Sequence, residues 1–255
     1  MTSVDSETRQ NRIIELARAR GRVEVVSLAE ELQVASETIR RDLKALASRR
    51  LLKRVHGGAV PAETAAFESG LEYRSQVDLA QKERIAQAAA GLLHGAETVY
   101  LDEGFTPRLI AHQLADQRLT VVTSSLLAAE ALAHSTTVTV LLLGGRMRGR
   151  TLATVDQWAV DALRGLVIDV AFLGTNAVSR EHGLTTSDPA VAAVKSTAVT
   201  VSRRSVLVAA HSKFGLSNFC RFADVSDFEV IVTGTELGFA EATTYEALGP
   251  TVLRV

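Results

Sequence analysis

Residues 36–47 read Ser-Glu-Thr-Ile-Arg-Arg-Asp-Leu-Lys-Ala-Leu-Ala. Ile39, Leu43 and Leu46 recur at the i, i+4 and i+7 spacing of one helical face. Arg40, Arg41 and Lys44 point elsewhere, three cations within five residues. An apolar stripe with a cationic back suits a helix docked on a small core and laid against something anionic. Just upstream, Ser27 to Leu32 predicts a shorter helix with Leu28, Ala29 and Leu32 as its apolar set, and Gln33-Val34-Ala35 joins the two. Helix, short turn, helix is the helix-turn-helix layout, in which the second helix enters the DNA major groove. The same spacing also fits an ordinary helical hairpin with a solvated basic face.

Working outward, Arg9 to Arg20 predicts a first helix with Ile13, Leu16 and Ala17 on one stripe, ended by Gly21. Val23 to Val25 predicts a short strand. After the basic helix, Leu51 to Val60 holds two β-prone pieces around Gly57 and Gly58, the pattern of a hairpin. A hairpin in that place is a wing, and Lys53, Arg54 and His56 on it would lie beside a phosphate backbone. Residues 1–60 therefore predict a winged helix-turn-helix. Its candidate DNA contacts are Ser36, Thr38, Arg40, Arg41 and Lys44 on the helix, with Lys53, Arg54 and His56 on the wing. Asp42 is expected to pair with a neighbouring arginine and to fix its rotamer.

Composition agrees with a protein of this kind. The chain has 255 residues, 47% of them hydrophobic, enough for one large or two ordinary domains with a sizeable core. No apolar run reaches the length of a membrane span, and the polar start lacks the apolar stretch of a signal peptide. Cys220 is the single cysteine, so no internal disulfide can form and a cytoplasmic location is expected. The formal net charge of −1 hides an asymmetry. Residues 1–60 carry twelve Lys and Arg against eight Asp and Glu, whereas the rest carry sixteen against twenty-one. A basic module beside an acidic body is what a DNA reader with a separate sensor would show.

Residues 61–78 read as a linker: Pro61 stops the wing, and Ala62 to Gly70 is small, polar and aperiodic. Asp78 is placed to cap a helix from Leu79 to His94. From there to Val255, apolar strands alternate with helices, which predicts a parallel α/β sheet covered on both faces over residues 79–255. Thr106 with Pro107 behind it, and Ser125, are expected to open helices. Ligands of such sheets bind at the carboxyl ends of strands. The loops there carry Asp102, Gly104 and Thr106; Thr123, Ser124 and Ser125; Gly144, Gly145 and Arg148; and Gly174 and Thr175. Small hydroxyl-rich loops running into helix N-termini suit an anionic small ligand, although Gly, Ser and Thr also simply make good turns. Gly144 to Thr151 imitates a phosphate-binding P-loop but has Arg150 where lysine is required. No metal-ligand spacing joins His56, His182 or His211, and neither metal nor cofactor is expected.

At this point the residues resemble a known family, the DeoR-type bacterial transcriptional regulators, over nearly the whole chain. The resemblance rests on Thr38-Ile39-Arg40-Arg41-Asp42-Leu43 and on Arg54-Val55-His56-Gly57-Gly58-Ala59. It continues through Lys82 and Ile85-Ala86, Asp102 to Thr106, Gly144-Gly145, Phe172 to Asn176, Gly183 to Thr186, Lys195, and Ser212 to Gly215. It implies a Rossmann-like sensor of the sugar-phosphate isomerase type, which binds a phosphorylated sugar and thereby releases DNA, without enzymatic turnover. It adds Lys195 and Lys213 to the candidate effector residues. The chain departs from the family pattern at several places. Ala35 stands where a serine usually caps the basic helix, Phe105 replaces a small hydroxyl residue, and Asp156 stands where glycine is usual. Serine replaces an asparagine at Ser125 or Ser124, Ala177 a glycine, Ala210-His211 an Asp-Ser pair and Gly234 an aspartate. Phe105 and Asp156 are expected to crowd and repel a phosphate, which leaves open an unphosphorylated effector or none.

The sequence thus predicts a DNA-binding regulator, a repressor of a carbohydrate-metabolism operon. Its expected partners are double-stranded operator DNA, a small-molecule effector and further copies of itself, as a dimer or tetramer. A rival of another class is an isomerase-like enzyme with an appended DNA module, in which Asp102 and Lys213 would supply the base and acid.

Overall fold

A computed structural model describes residues 6–48, 51–61, 75 and 77–255. Of the predicted linker 61–78, residues 62–74 and 76 lie outside the described set. The chain divides into two compact units, residues 1–73 and 74–255.

The smaller unit runs α1 (Ser6–Arg20), β1 (Val23–Glu24), α2 (Val25–Glu31), α3 (Ser36–Ser48), β2 (Leu52–Val55) and β3 (Gly58–Pro61). Ile13, Leu16, Leu28, Ile39, Leu43, Leu46 and Leu52 close on one another as its core, so the stripe on α3 is the buried face. Gly21, at φ +78°, ends α1 in the left-handed conformation expected of it. The second helix starts two residues earlier than its apolar pattern suggests. Val25 opens α2, its N–H held by the Gly57 carbonyl at 2.9 Å, instead of extending β1. The three strands form an antiparallel sheet in the order β1-β3-β2. Its turn needs two glycines for different reasons. Gly57 takes φ +73° in the hairpin, and any Cβ on Gly58 would collide with the Val23 carbonyl across the strand pair.

The larger unit opens with α4 (Leu79–Ala90), β4 (Thr98–Leu101), α5 (Phe105–Leu114), β5 (Leu119–Thr123), α6 (Leu126–Leu132) and β6 (Val138–Leu142). A hairpin follows, β7 (Arg146–Arg148) with β8 (Ala153–Val155), then α7 (Gln157–Arg164) and β9 (Ile168–Leu173). The rest is β10 (Ala177–Ser179), β11 (Gly183–Thr186), α8 (Pro189–Val201), β12 (Ser202–Val208), β13 (Cys220–Ala223), β14 (Val230–Thr233), α9 (Phe239–Glu246) and β15 (Thr251–Arg254). Seven strands make one parallel sheet in the order β15-β14-β12-β9-β4-β5-β6. Both faces are covered, as the apolar strands require, except at the edge strand β6, where Leu141 and Leu142 are exposed. Val99, Leu101, Val121 and Phe172 meet Ile85, Ile110, Leu114 and Leu132 of α4, α5 and α6. The alternate residues Tyr100, Val122, Ala171 and Leu173 meet Leu163 of α7 and Val191, Val194 and Ala198 of α8. Among the described residues no helix is long and apolar enough to cross a membrane.

Several local expectations are corrected. Asp78 occupies the position before α4, but at φ +54° and without capping the helix through its side chain. The first long helix of the unit stops at Ala90, not His94. Helix α5 begins at Phe105 behind Gly104, so Thr106 and Pro107 lie inside it and Thr106 is not the cap. Ser125 does cap α6, accepting from the Ala128 N–H at 3.2 Å. The Gly144–Thr151 stretch leads into an antiparallel hairpin, not a helix N-terminus, and so has no P-loop geometry. A second small antiparallel sheet, β10-β11-β13, has no counterpart in the sequence reading.

Candidate functional site

On the smaller unit the outward surface of α3 carries Arg40, Arg41 and Lys44, all exposed, with Ser36 and Thr38 half-buried at its start. Arg40 bonds Glu37 on the same helix at 3.2 Å, an exposed pair that adds little. Arg41, Lys44, Lys53 and Arg54 make no ion pair among the described residues, which leaves their charge for an outside partner. Lys53, Arg54 and His56 are exposed on the wing. Asp42 departs from its expected role. It is buried, and its carboxylate accepts from Arg9 Nε at 2.6 Å, Arg9 Nη2 at 3.3 Å and Gln10 Nε2 at 3.0 Å. It therefore ties α3 to α1 across 33 positions of sequence and does not orient Arg40 or Arg41. Nothing caps α3 through a side chain at Ala35, whose carbonyl accepts from the Thr38 N–H at 2.9 Å.

On the larger unit the order of the strands decides where a cleft opens. The chain runs outward from β4 in one direction through β5 and β6, and in the other from β9 through β12 and β14. The order reverses between β4 and β9, and the crevice of an open parallel sheet lies at the carboxyl ends of such a strand pair. A cavity of about 60 Å³ sits there. Lys82, Lys195 and Lys213 supply its cations. Glu103, Gly104, Phe105, Thr106, Gly174, Thr175 and Asn176 supply the rest of its polar and backbone wall, with Pro107 and Val208 to Ala210 beside them. Helix α5 starts at this wall without a side-chain cap, and its first N–H groups present the positive end of the helix.

Beneath the wall lies a buried ion cluster. Asp102 follows β4 and is fully buried. One carboxylate oxygen accepts from the Lys195 ammonium and from the Gly174 N–H at 2.9 Å. Its other oxygen has no hydrogen-bond partner. Lys195 also donates to the Gly174 carbonyl at 3.1 Å and lies 3.7 Å from Glu103. Burial pushes the Asp102 carboxyl up to about 6; the Lys195 charge opposes the rise and Glu103 adds to it.

Of the predicted effector residues, Gly104, Thr106, Gly174, Thr175, Lys195 and Lys213 come together on the cleft wall, with Asp102 directly below. The others lie elsewhere. Thr123 donates to the Leu101 carbonyl at 2.6 Å, Ser124 pairs with the Tyr100 hydroxyl at 3.3 Å, and Ser125 is spent as a helix cap. Gly144 and Gly145 lead into the hairpin, where Gly145 lies against the Val155 backbone. Arg148 pairs with Asp188 at 3.1 Å. Asp156 does not line the cleft either; it bonds Arg146 at 2.7 Å on the surface, so the expected repulsion of a phosphate falls away. Phe105 does line the cleft and narrows it. His211 accompanies Gln81, whose side-chain oxygen accepts the His211 backbone N–H at 2.8 Å. Lys82, Glu103 and Asn176 are wall residues absent from the predicted site. Lys82 reads from the sequence as one more polar residue of an amphipathic helix.

Comparison with known proteins places both units. Residues 9–65 match the DeoR-like helix-turn-helix domain, and residues 77–235 match the DeoR C terminal sensor domain. The HTH-type transcriptional regulator GlpR of Haloferax volcanii is 34% identical over 247 residues, covering 96% of each chain. The uncharacterized HTH-type transcriptional regulator FruR of Bacillus subtilis is 35% identical over 215 residues, covering 84% of this chain and 85% of that one. The glycerol-3-phosphate regulon repressor of Escherichia coli is 30% identical over 226 residues, covering 88% and 89%.

Proposed function

The chain belongs to the DeoR family of transcriptional regulators, and from that membership we propose that it represses a carbohydrate-metabolism operon and leaves its operator when a phosphorylated sugar or related metabolite binds. The observation that carries the DNA half is the row of exposed cations on the outward face of α3 and on the wing, of which Arg41, Lys44, Lys53 and Arg54 make no ion pair among the described residues. In this reading Thr38, Arg40, Arg41 and Lys44 reach base edges or phosphates, and Ser36 closes on the backbone at the start of the helix. Lys53, Arg54 and His56 fix register on the flanking strand. The effector half is supported by three lysines and the uncapped N-terminus of α5 meeting at the sheet's switch point. Gly104, Thr106, Gly174, Thr175, Lys195 and Lys213 would hold the ligand, with Asp102 orienting Lys195 from below. Repression is supported by the repressor among its relatives.

The protein acts by binding and not by turnover: the carboxylate a rival isomerase would use, Asp102, is engaged by Lys195 and is absent from the cleft wall. It works in the cytoplasm, as a symmetric oligomer spanning paired half-sites. A mobility shift tests this with the DNA upstream of the protein's own gene against an unrelated duplex, over a range of salt. Selective binding that weakens steeply with salt is expected. Equal affinity for both duplexes would remove the operator from the reading.

A further inference from the structure

The cleft is tied to the point where the chain enters the larger unit. Val77 and Asp78 immediately precede α4, and Asp78 sits at φ +54°, a backbone region that non-glycine residues rarely hold without support. Among the described residues, side-chain contacts of Ser212, Gln81 and Lys82 secure this junction. Ser212 Oγ donates to the Asp78 carboxylate at 2.7 Å, and Gln81 accepts the His211 backbone N–H at 2.8 Å. Lys82 Nζ donates to the Val77 carbonyl at 2.6 Å. The first two contacts come from the loop that continues from the cleft wall at Ala209 and Ala210 to Lys213. Gly234 makes room for this arrangement, because a Cβ there would collide with the Gln81 side chain. The third contact is made by a residue that is itself part of the cleft wall, with its ammonium 5.8 Å from the centre of the Phe105 ring.

We propose that Lys82 is the residue through which the effector acts on the segment leading to the DNA-binding unit, an inference that rests on the effector reading above. An anion seated at the start of α5 would compete for the Lys82 ammonium with the contacts it already makes, the Val77 carbonyl among them. Both bonds have the same ionised donor, but a phosphate oxygen carries a full opposite charge where the Val77 carbonyl carries only a partial one, and so competes for the ammonium. A phosphate in the cleft draws the ammonium off Val77, and the strained Val77–Asp78 junction loses one of its supports. The contact with Val77 belongs to the state that binds operator, and the contact with the anion to the state that leaves it. The effector thereby gains the differential interaction that a population shift requires.

The test uses the full chain on operator DNA with no phosphate present. K82M keeps the apolar stem and removes the ammonium, and K82R keeps a cation. The proposal expects K82M to bind operator at least about ten-fold more weakly than the parent, the size of an ordinary coupling factor, and K82R to recover most of the loss. K82M binding operator as the parent does would overturn it, and so would a loss in K82M that K82R does not repair. A second arm needs no substitution. Hydrogen exchange of the α4 first-turn amides is followed on the parent with inorganic phosphate or glycerol 3-phosphate, against chloride at equal ionic strength. Faster exchange at a concentration that releases operator supports the switch; unchanged exchange at that concentration contradicts it. If neither compound releases the parent, the phosphate-effector reading fails, and the phosphate-free comparison of K82M and K82R still decides the role of Lys82.

Discussion

Each unit buries an aspartate against a cation, and the two pairs differ in a way that separates scaffold from site. Asp42, in the small unit, has both oxygens occupied: Arg9 holds one and reaches toward the other, and Gln10 completes the set. A buried carboxylate with both oxygens hydrogen-bonded behaves as a bolt between two helices. Asp102, in the large unit, shares one oxygen between Lys195 and the Gly174 N–H and leaves the other without a partner. It stands beside a second buried carboxylate, Glu103, under the wall of a cleft. Incomplete satisfaction in a low-dielectric place is costly and is characteristic of sites that bind. Burial alone does not mark a candidate functional acid; the unspent oxygen and the adjoining cleft are what put Asp102 forward.

The largest expected effect sharpens that contrast. Lys195→Met takes away the ammonium between Asp102 and Glu103 and should cost about 3–5 kcal/mol of unfolding free energy at neutral pH, read by denaturant titration. The pH dependence has a definite sign. The Asp102 carboxyl already stands at about 6 in the folded chain, above its ordinary value, and losing the Lys195 charge raises it further. Its contribution to stability is therefore fully present below about pH 4 and is lost as pH rises through the folded value. The deficit of Lys195→Met relative to the parent should shrink as pH falls from 8 to about 5; a deficit that grows on acidification would contradict the assignment.

Breaking the other pair is next. Asp42→Ala takes the carboxylate away from the mostly buried Arg9 guanidinium and should cost about 3 kcal/mol. Because it unhitches α3 from α1, operator binding should fall while binding of a small ligand to the larger unit stays as it was, measured on one preparation by anisotropy and calorimetry. Arg41→Ala removes no ion pair among the described residues and should weaken operator binding by about 1–3 kcal/mol without moving the unfolding midpoint. Unchanged affinity in the mobility shift would mean that α3 is not the reading helix. Ala35→Ser would supply the side-chain cap that α3 lacks and should stabilise the small unit by about 1 kcal/mol. The smallest effect is Asp156→Gly. Asp156 holds φ +76° and ψ −172°, a region that belongs almost entirely to glycine. Relief of that strain outweighs the loss of an exposed pair with Arg146 and the added freedom of the unfolded chain, for a net gain of about 0.5–1 kcal/mol in thermal unfolding.

What could be read from the sequence follows the range of the interactions involved. The α3 stripe, the two wing glycines and the apolar parallel strands are local signals, and each is found where its pattern places it. The partner of Asp42 was not legible, because Arg9 is brought to it by the folding of α1 onto α3 and by no spacing along the chain. The hairpin of β7 and β8 escaped notice because its strands have three residues each, too few for alternation to show. The cleft was half legible. Strand-end loops can be listed from sequence, but which of them converge depends on strand order, a non-local property. The loops after β5 and β6 lie beyond β4, on the side away from the reversal point, which is why Thr123, Ser124, Ser125 and Gly144 do not join Gly104 and Gly174. Lys82 stands among the residues that carry the family resemblance but not among the expected effector residues: a polar residue of an amphipathic helix carries no mark that its ammonium turns into a cleft.

In the proposed function one molecule reads DNA with the small unit and a phosphorylated metabolite with the large one. The most direct measurement is the anisotropy of labelled operator with the purified full chain, titrated with a panel of three-, five- and six-carbon sugar phosphates at constant ionic strength. The account predicts that at least one compound releases the DNA while its unphosphorylated parent sugar does not. Operator held equally tightly against every phosphate, or released equally by the unphosphorylated sugar, would contradict it.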